Sequence, residues 1–234
     1  MERFAGGYLA VTMNTWLRRV AGAAFFWCAL FGMAAPAAAH PHAWIDVSVE
    51  LPFDQEGRVS GLRETWLFDQ YYTAFVASEL GAIQGGRADQ AKLDALLRTN
   101  MSNLKAYDYF TVVRSGTDAV RLAPVTEMST RLVEGRLEIT FLLPFETPVE
   151  VGASDLFYSV YDPTYYIEML HKEGPDPIVL RDAPEGCDYR ITRASPSASA
   201  IALAAALDRN QKAQDGFGAL FAEKVFVSCP AASR

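Results

Sequence analysis

The chain has 234 residues, of which 50% are hydrophobic, 21% charged and 12% aromatic. That balance belongs to a globular protein and excludes a disordered or fibrous one. The formal charge is −7, from 21 basic against 28 acidic side chains, with three cysteines. No Lys/Arg cluster follows Arg19, so the basic face of a general nucleic-acid binder is missing, and three cysteines cannot build a Cys-only metal framework.

The first element is an address. Arg18 and Arg19 precede an uncharged run, Val20–Met33, and then Ala34–Ala39 with Ala37 and Ala39 at small-residue cleavage positions. A basic start, a short apolar stretch and an A-x-A site make a secretory signal peptide. The run falls short of the roughly 18–20 residues that span a bilayer, so an uncleaved anchor is the lesser reading. Met13 offers an alternative start, and no cysteine stands at the cleavage point for a lipid anchor. The expectation is an exported protein cleaved after Ala39, with residues 40–234 as one α+β domain and no spanning segment in the mature chain. Cys187 and Cys229 then remain, and an even pair in an oxidising compartment is a disulfide candidate worth about 3–4 kcal/mol. Two buried thiols are the alternative.

Along the mature chain, Ala43, Ile45, Val47, Val49 and Leu51 alternate with His42, Trp44, Asp46, Ser48 and Glu50. Period two predicts a half-buried strand over 43–53. Asp54–Gly57 is a turn, and Arg58–Phe68 returns as the second arm of a hairpin. Gln70–Leu80 changes to helical spacing, with Tyr71, Ala74, Phe75 and Leu80 on one apolar face. Gly81–Gly86 breaks it, and Asp89–Met101 is a second helix with Leu93, Leu96 and Leu97 inward. Two more hairpins follow, Tyr109–Arg114 with Ala119–Ala123 and Glu127–Val133 with Arg136–Phe145. Leu156–Tyr161, Ile178–Asp182, Tyr189–Arg193 and Lys224–Cys229 read as strands, and Ser197–Asn210 as a helix. Hairpins with interspersed helices predict an α+β fold with a mainly antiparallel sheet.

Chemistry-bearing residues are few. His40 and His42 flank Pro41 at the expected new amino terminus. A terminal His offers its α-amine and its ring nitrogen to one metal ion, and His42 adds a third nitrogen. Imidazole suits Cu, Zn, Ni and Co. Pro41 has no amide hydrogen, which blocks the square-planar mode that needs deprotonated amides and leaves a brace of amine plus two imidazoles. Asp46 lies about 13 Å along the strand from His42, too far to share the ion. His171, between Glu168 and Glu173, reads as a surface loop histidine. Val160–Ile167 (VYDPTYYI) is the densest local pattern. It reads either as a turn capped by Asp162 or as a ligand-pocket wall built from Asp162, Tyr165 and Tyr166. Asp69 offers the same choice between helix cap and ligand. No G-x-S-x-G, P-loop, H-E-x-x-H or G-x-G-x-x-G occurs, which argues for a binding protein and against an enzyme.

His40-Pro41-His42, Trp44-Ile45-Asp46, Phe68-Asp69, Ser159–Tyr166, Gly186-Cys187 and Leu220–Cys229 together resemble an uncharacterised bacterial family, domain of unknown function 1007. Its members are often labelled a periplasmic component of an ABC-type transport system. The resemblance implies a periplasmic location and a link to nickel, cobalt or zinc transport. Gly81–Asp89 lacks the calcium-loop pattern that an acidic loop here would carry. The chain is short and hairpin-rich for a two-lobed substrate-binding protein. The expectation is a soluble accessory that binds a divalent transition metal through His40 and His42 and serves a membrane metal transporter. A metal-free module docking on a membrane partner is the alternative.

Overall fold

The first strand, β1 (Ala43–Pro52), forms where the alternation predicts it, with Ala43, Ile45, Val47, Val49 and Leu51 buried. The computed structural model describes residues 42–152, 155–207 and 213–230. These fall within one contact unit, Ala39–Arg234, and the expected signal segment and His40 lie outside the described residues. β2 (Arg58–Phe68) returns antiparallel to β1, with Ile45 opposite Phe68 and Glu50 opposite Arg63. Beyond β2 come β8 (Arg136–Glu150) and β7 (Met128–Val133), again antiparallel.

On its other edge β1 takes two short strands in parallel, β10 (Ile167–His171) along 43–47 and β11 (Ile178–Arg181) along 49–52. These two pairings depart from the hairpin pattern, although antiparallel pairs dominate the α+β fold. β10 also corrects the reading of His171, which lies on a strand with a side chain only 5% exposed.

A second sheet runs β12 (Asp188–Thr192), β13 (Lys224–Ser228), β9 (Leu156–Val160), β5 (Thr111–Ser115) and β6 (Asp118–Ala119). The two sheets share one core: Val47, Leu62, Trp66, Ile139 and Phe141 cluster with Val113, Leu156, Tyr158, Val225 and Val227. Burying such side chains contributes about 1.5–3 kcal/mol each. Cys187 and Cys229 form the disulfide at one end of the β12–β13 pair, next to the Asp188–Ser228 register.

Helices α1 (Gln70–Leu80) and α2 (Gln90–Leu104) add Val76, Leu93, Leu97 and Met101 to that core. Between them Gly81–Gly86 does not simply break the chain. It contributes to a two-strand ribbon, β3 (Ile83–Gln84) and β4 (Arg87–Ala88). The apolar face of α1 is turned outward, with Tyr71 82% and Phe75 58% exposed. The cap sets this phase. Asp69 accepts from Tyr71 N–H and Tyr72 N–H, and Thr73 is drawn inward to accept from Leu137 N–H at 3.0 Å. Tyr72 stacks on Phe68 with centroids 4.5 Å apart. Helix α3 (Ala198–Ala206) is capped by Ser197.

Alternation places one charged residue of β2 on the core face. Glu64 is 0% exposed and accepts from Trp66 Nε1–H and Thr111 O–H, both at 2.8 Å. The Thr111 bond joins the second sheet to the first. Burial raises the Glu64 pKa from 4.5 to about 7, with the two donors opposing that rise. The native state therefore holds this proton more tightly than the unfolded chain does. The associated stability is full below pH 4.5 and is lost as pH rises through about 7. Glu64→Gln keeps the shape without the charge. It should match wild type at about pH 4 and exceed it by up to about 3 kcal/mol at about pH 8 in urea titrations. Equal stability gaps at both pH values would contradict this.

Candidate functional site

The segment that enters β10 carries the densest cluster of fixed polar contacts. Asp162, 5% exposed, saturates both carboxylate oxygens. Its Oδ1 accepts from Thr164 N–H at 2.8 Å and Thr164 O–H at 2.9 Å, and its Oδ2 from Tyr166 N–H at 3.0 Å and Ile167 N–H at 3.1 Å. No lone pair in the plane of the carboxylate is left for a metal, so the residue organises the loop. Gly218 lies against it, where a Cβ would meet the Asp162 carbonyl oxygen at 1.9 Å, and only glycine fits.

The two tyrosines of the loop diverge. Tyr165 adopts φ 55° and turns inward, stacking on Phe221 at 3.9 Å. Its hydroxyl donates to Glu168, and burial followed by the Glu168 charge raises its pKa. Tyr166 is 38% exposed. Its carbonyl accepts from His42 N–H at 2.9 Å, and its ring lies 4.6 Å from the His42 ring. The structure thus brings His42, Asp162, Tyr165 and Tyr166 into one neighbourhood. Asp69 belongs elsewhere. It caps α1 and accepts from Trp44 N–H at 2.9 Å, tying the start of β1 to the helix. Asp46 is paired with Arg136 at 2.8 Å.

Tyr166, Thr164 and Ile167 form one wall of a cleft of about 390 Å³. The facing wall comes from the end of α2 and the turn after it, with Leu104, Tyr107 and Phe110. That turn is strained. Asp108, Tyr109 and Phe110 all have left-handed φ, at 49°, 53° and 60°. Consecutive non-glycine residues there cost about 1 kcal/mol or more each and persist only where packing over-determines them. Here Tyr109 is buried, its carbonyl lies 3.1 Å from the Thr111 hydroxyl, and the Phe110 carbonyl accepts from Tyr161 N–H at 2.8 Å. The turn leaves Tyr107 56% exposed at the cleft.

A second cleft, of about 410 Å³, runs along β10 and is lined by Asp46, Glu168, His171, Arg193 and Glu223. Glu223 Oε2 accepts from His171 N–H at 2.7 Å and lies 2.9 Å from His171 Nδ1. The Tyr158 hydroxyl lies 3.2 Å from His171 Nε2. Burial pushes Glu223 up, but the His171 hydrogen bonds and charge, with Arg193, outweigh it and leave its pKa lowered. In order this is a carboxylate–imidazole–hydroxyl chain. Tyr158, however, is 0% exposed, and burial holds its pKa well above the ordinary range. A sealed, protonated phenol cannot attack a substrate, so the chain fixes the histidine in place. Sequence reading missed this group because His171, Glu223 and Tyr158 lie on separate segments. The alternation of Leu62, Glu64, Trp66 and Phe68 could have revealed Glu64.

Among the described residues no group of three or more His, Cys, Asp or Glu is arranged to hold a metal ion. His42 is the described member of the expected chelate; His40 lies outside the described residues. No helix among the described residues is long and apolar enough to cross a membrane.

Comparison with known proteins places the chain among others without a known role. A family model described as a protein of unknown function, DUF1007, matches residues 25–229. An uncharacterised protein of Haemophilus influenzae is 24% identical over 194 residues, covering 82% of this chain and 91% of its own length. An uncharacterised 15.5 kDa protein of Spirochaeta aurantia is 30% identical over 115 residues, 49% of this chain and 80% of its own length. No solved structure matches.

The Asp162 clamp predicts a specific loss. Asp162→Ala leaves four donors without their acceptor and should destabilise the fold by about 2–4 kcal/mol in denaturant titration. Asp162→Asn, which keeps one acceptor oxygen, should fall between that variant and wild type.

Proposed function

The chain belongs to the DUF1007 family, and from that premise we propose that it is an exported accessory protein that binds a divalent transition metal for a membrane transporter. The proposed ligands are the α-amine and imidazole of His40 and the imidazole of His42. The observation that supports this most is the anchoring of His42. Its N–H is bonded to the Tyr166 carbonyl at 2.9 Å, and its ring packs on Tyr166. One imidazole is therefore held against Tyr166, two residues from the expected processed terminus. An anchored ligand loses less entropy on binding than a dangling one.

The surrounding carboxylates do not compete for the ion. Asp162 is saturated and Asp46 is engaged by Arg136. A terminal histidine at residue 40 would supply two further donors, and a carboxylate from elsewhere would complete the site. Borderline nitrogen donors favour Ni, Cu, Zn or Co over Ca or Mg. The Cys187–Cys229 disulfide is compatible with export to an oxidising compartment.

Calorimetric titration of protein that begins at His40 should show binding of at least one of Ni, Cu, Zn or Co. Affinity should fall below about pH 6, where imidazole and amine take up protons. His42→Ala, or one extra residue before His40, should weaken binding by roughly tenfold or more. Isotherms that coincide for wild type and His42→Ala would remove the site.

A further inference from the structure

The cleft between the strained turn and the Asp162 loop has a composition that the metal reading does not use. Three aromatic residues line it, Tyr107, Phe110 and Tyr166. Two carboxylates line it as well: Asp162, whose oxygens are all engaged, and Asp215, which is exposed. Among the described residues, none of its lining side chains is Lys, Arg or His. Its volume, about 390 Å³, falls in the size range of small-molecule sites.

Aromatic faces present negative potential, and a cation over them is attracted more strongly once desolvated. Acidic charge at the same cleft adds to that attraction and repels anions. The second cleft differs, since Arg193 and His171 stand among its acids. The walls of the aromatic cleft are also fixed in advance. Tyr107 is carried by the left-handed turn 108–110, and Tyr166 by the Asp162 clamp. Strain of this kind collects at ligand clamps.

We infer that this cleft binds a small organic cation, with an alkylammonium group held against Tyr107 and Tyr166 and its charge balanced by Asp215. The ammonium could belong to a free molecule or to a lysine side chain, so both are probed. The inference does not depend on the metal proposal, because it uses neither His40 nor His42 as a ligand.

The test is a set of NMR titrations of the purified protein with chelator present throughout, so that metal cannot contribute. The probes are choline, a short lysine-containing peptide, and the uncharged isostere of choline in which carbon replaces nitrogen. Choline should shift the amide signals of Asn103, Tyr107, Thr164 and Tyr166, and added salt should weaken it. The isostere should bind roughly tenfold more weakly. Tyr107→Ala should weaken choline roughly tenfold and Asp215→Asn roughly threefold. Both residues are exposed, so folding should survive, and unchanged spectra elsewhere in the protein verify that. Stronger binding of the peptide than of choline would assign the ammonium to a protein partner and still support the site. Equal binding of choline and its isostere, indifference to both substitutions, or no shift with either ammonium probe would each overturn it.

Discussion

Four donors converge on the carboxylate of Asp162, and most of what this protein offers a ligand is arranged around it. A loop held this way has little freedom in how it enters β10. The register of β10 on β1 follows, with Ala43 opposite Ile167, and so does the place of His42, whose N–H bonds to the Tyr166 carbonyl. The same clamp lets Tyr165 take a left-handed backbone and bury its ring on Phe221 while Tyr166 turns out to meet His42. Both clefts share this segment as a wall, one through Thr164–Ile167 and the other through Glu168 and His171.

The opposite wall depends on a balance between strain and packing. Three successive left-handed residues would relax in a free peptide. Here Tyr109 is buried against the core, with Phe141 6.4 Å away, and Phe110 stacks over Trp66 at the same distance. Thr111 follows at once, and its hydroxyl lies 2.8 Å from Glu64 and 3.1 Å from the Tyr109 carbonyl. A buried acid thus fixes where the strained turn sits on the first sheet. An apolar residue at position 64 would leave Trp66 Nε1–H without its acceptor, at a cost of about 1–3 kcal/mol. The charge is costly at neutral pH, but the acceptor is needed.

Local signals were the legible part of the sequence. Period-two alternation located β1, the DQEG turn pointed to its return arm β2, and Asp69 could be read as a helix cap; Asp89 and Ser197, read as first residues of the other two helices, cap them instead. The paired cysteines were legible from compartment logic. Non-local facts were not. β10 has five residues and no clean alternation, and it exists because β1 offers a free edge. The outward face of α1 contradicts hydrophobic patterning because Asp69 and Thr73 set the helix phase by hydrogen bonds to β1 and β8. Of the site, His42 and the Asp162–Tyr166 loop could be picked out as residues. Their contact, and the turn that opposes them, required the fold.

Tyr158 shows how the buried acids act together. Burial keeps its hydroxyl protonated, and the charges of Glu64 and Glu223 reinforce that. The phenol lies beside His171 Nε2 and Glu223 beside Nδ1, so each ring nitrogen of the buried imidazole has a partner. Ionising Glu64 as pH rises costs stability. Glu223 has the opposite linkage. Its pKa is lowered, so its contribution is present above 4.5 and is lost as pH falls through the folded value. Glu64 favours the fold most strongly below 4.5 and Glu223 above it, so their combined contribution peaks in mildly acidic solution. In base the cost is the desolvation of the Glu64 carboxylate, which its Thr111 and Trp66 donors only partly offset; in acid it is the loss of the Glu223 charge that the His171 contacts stabilise.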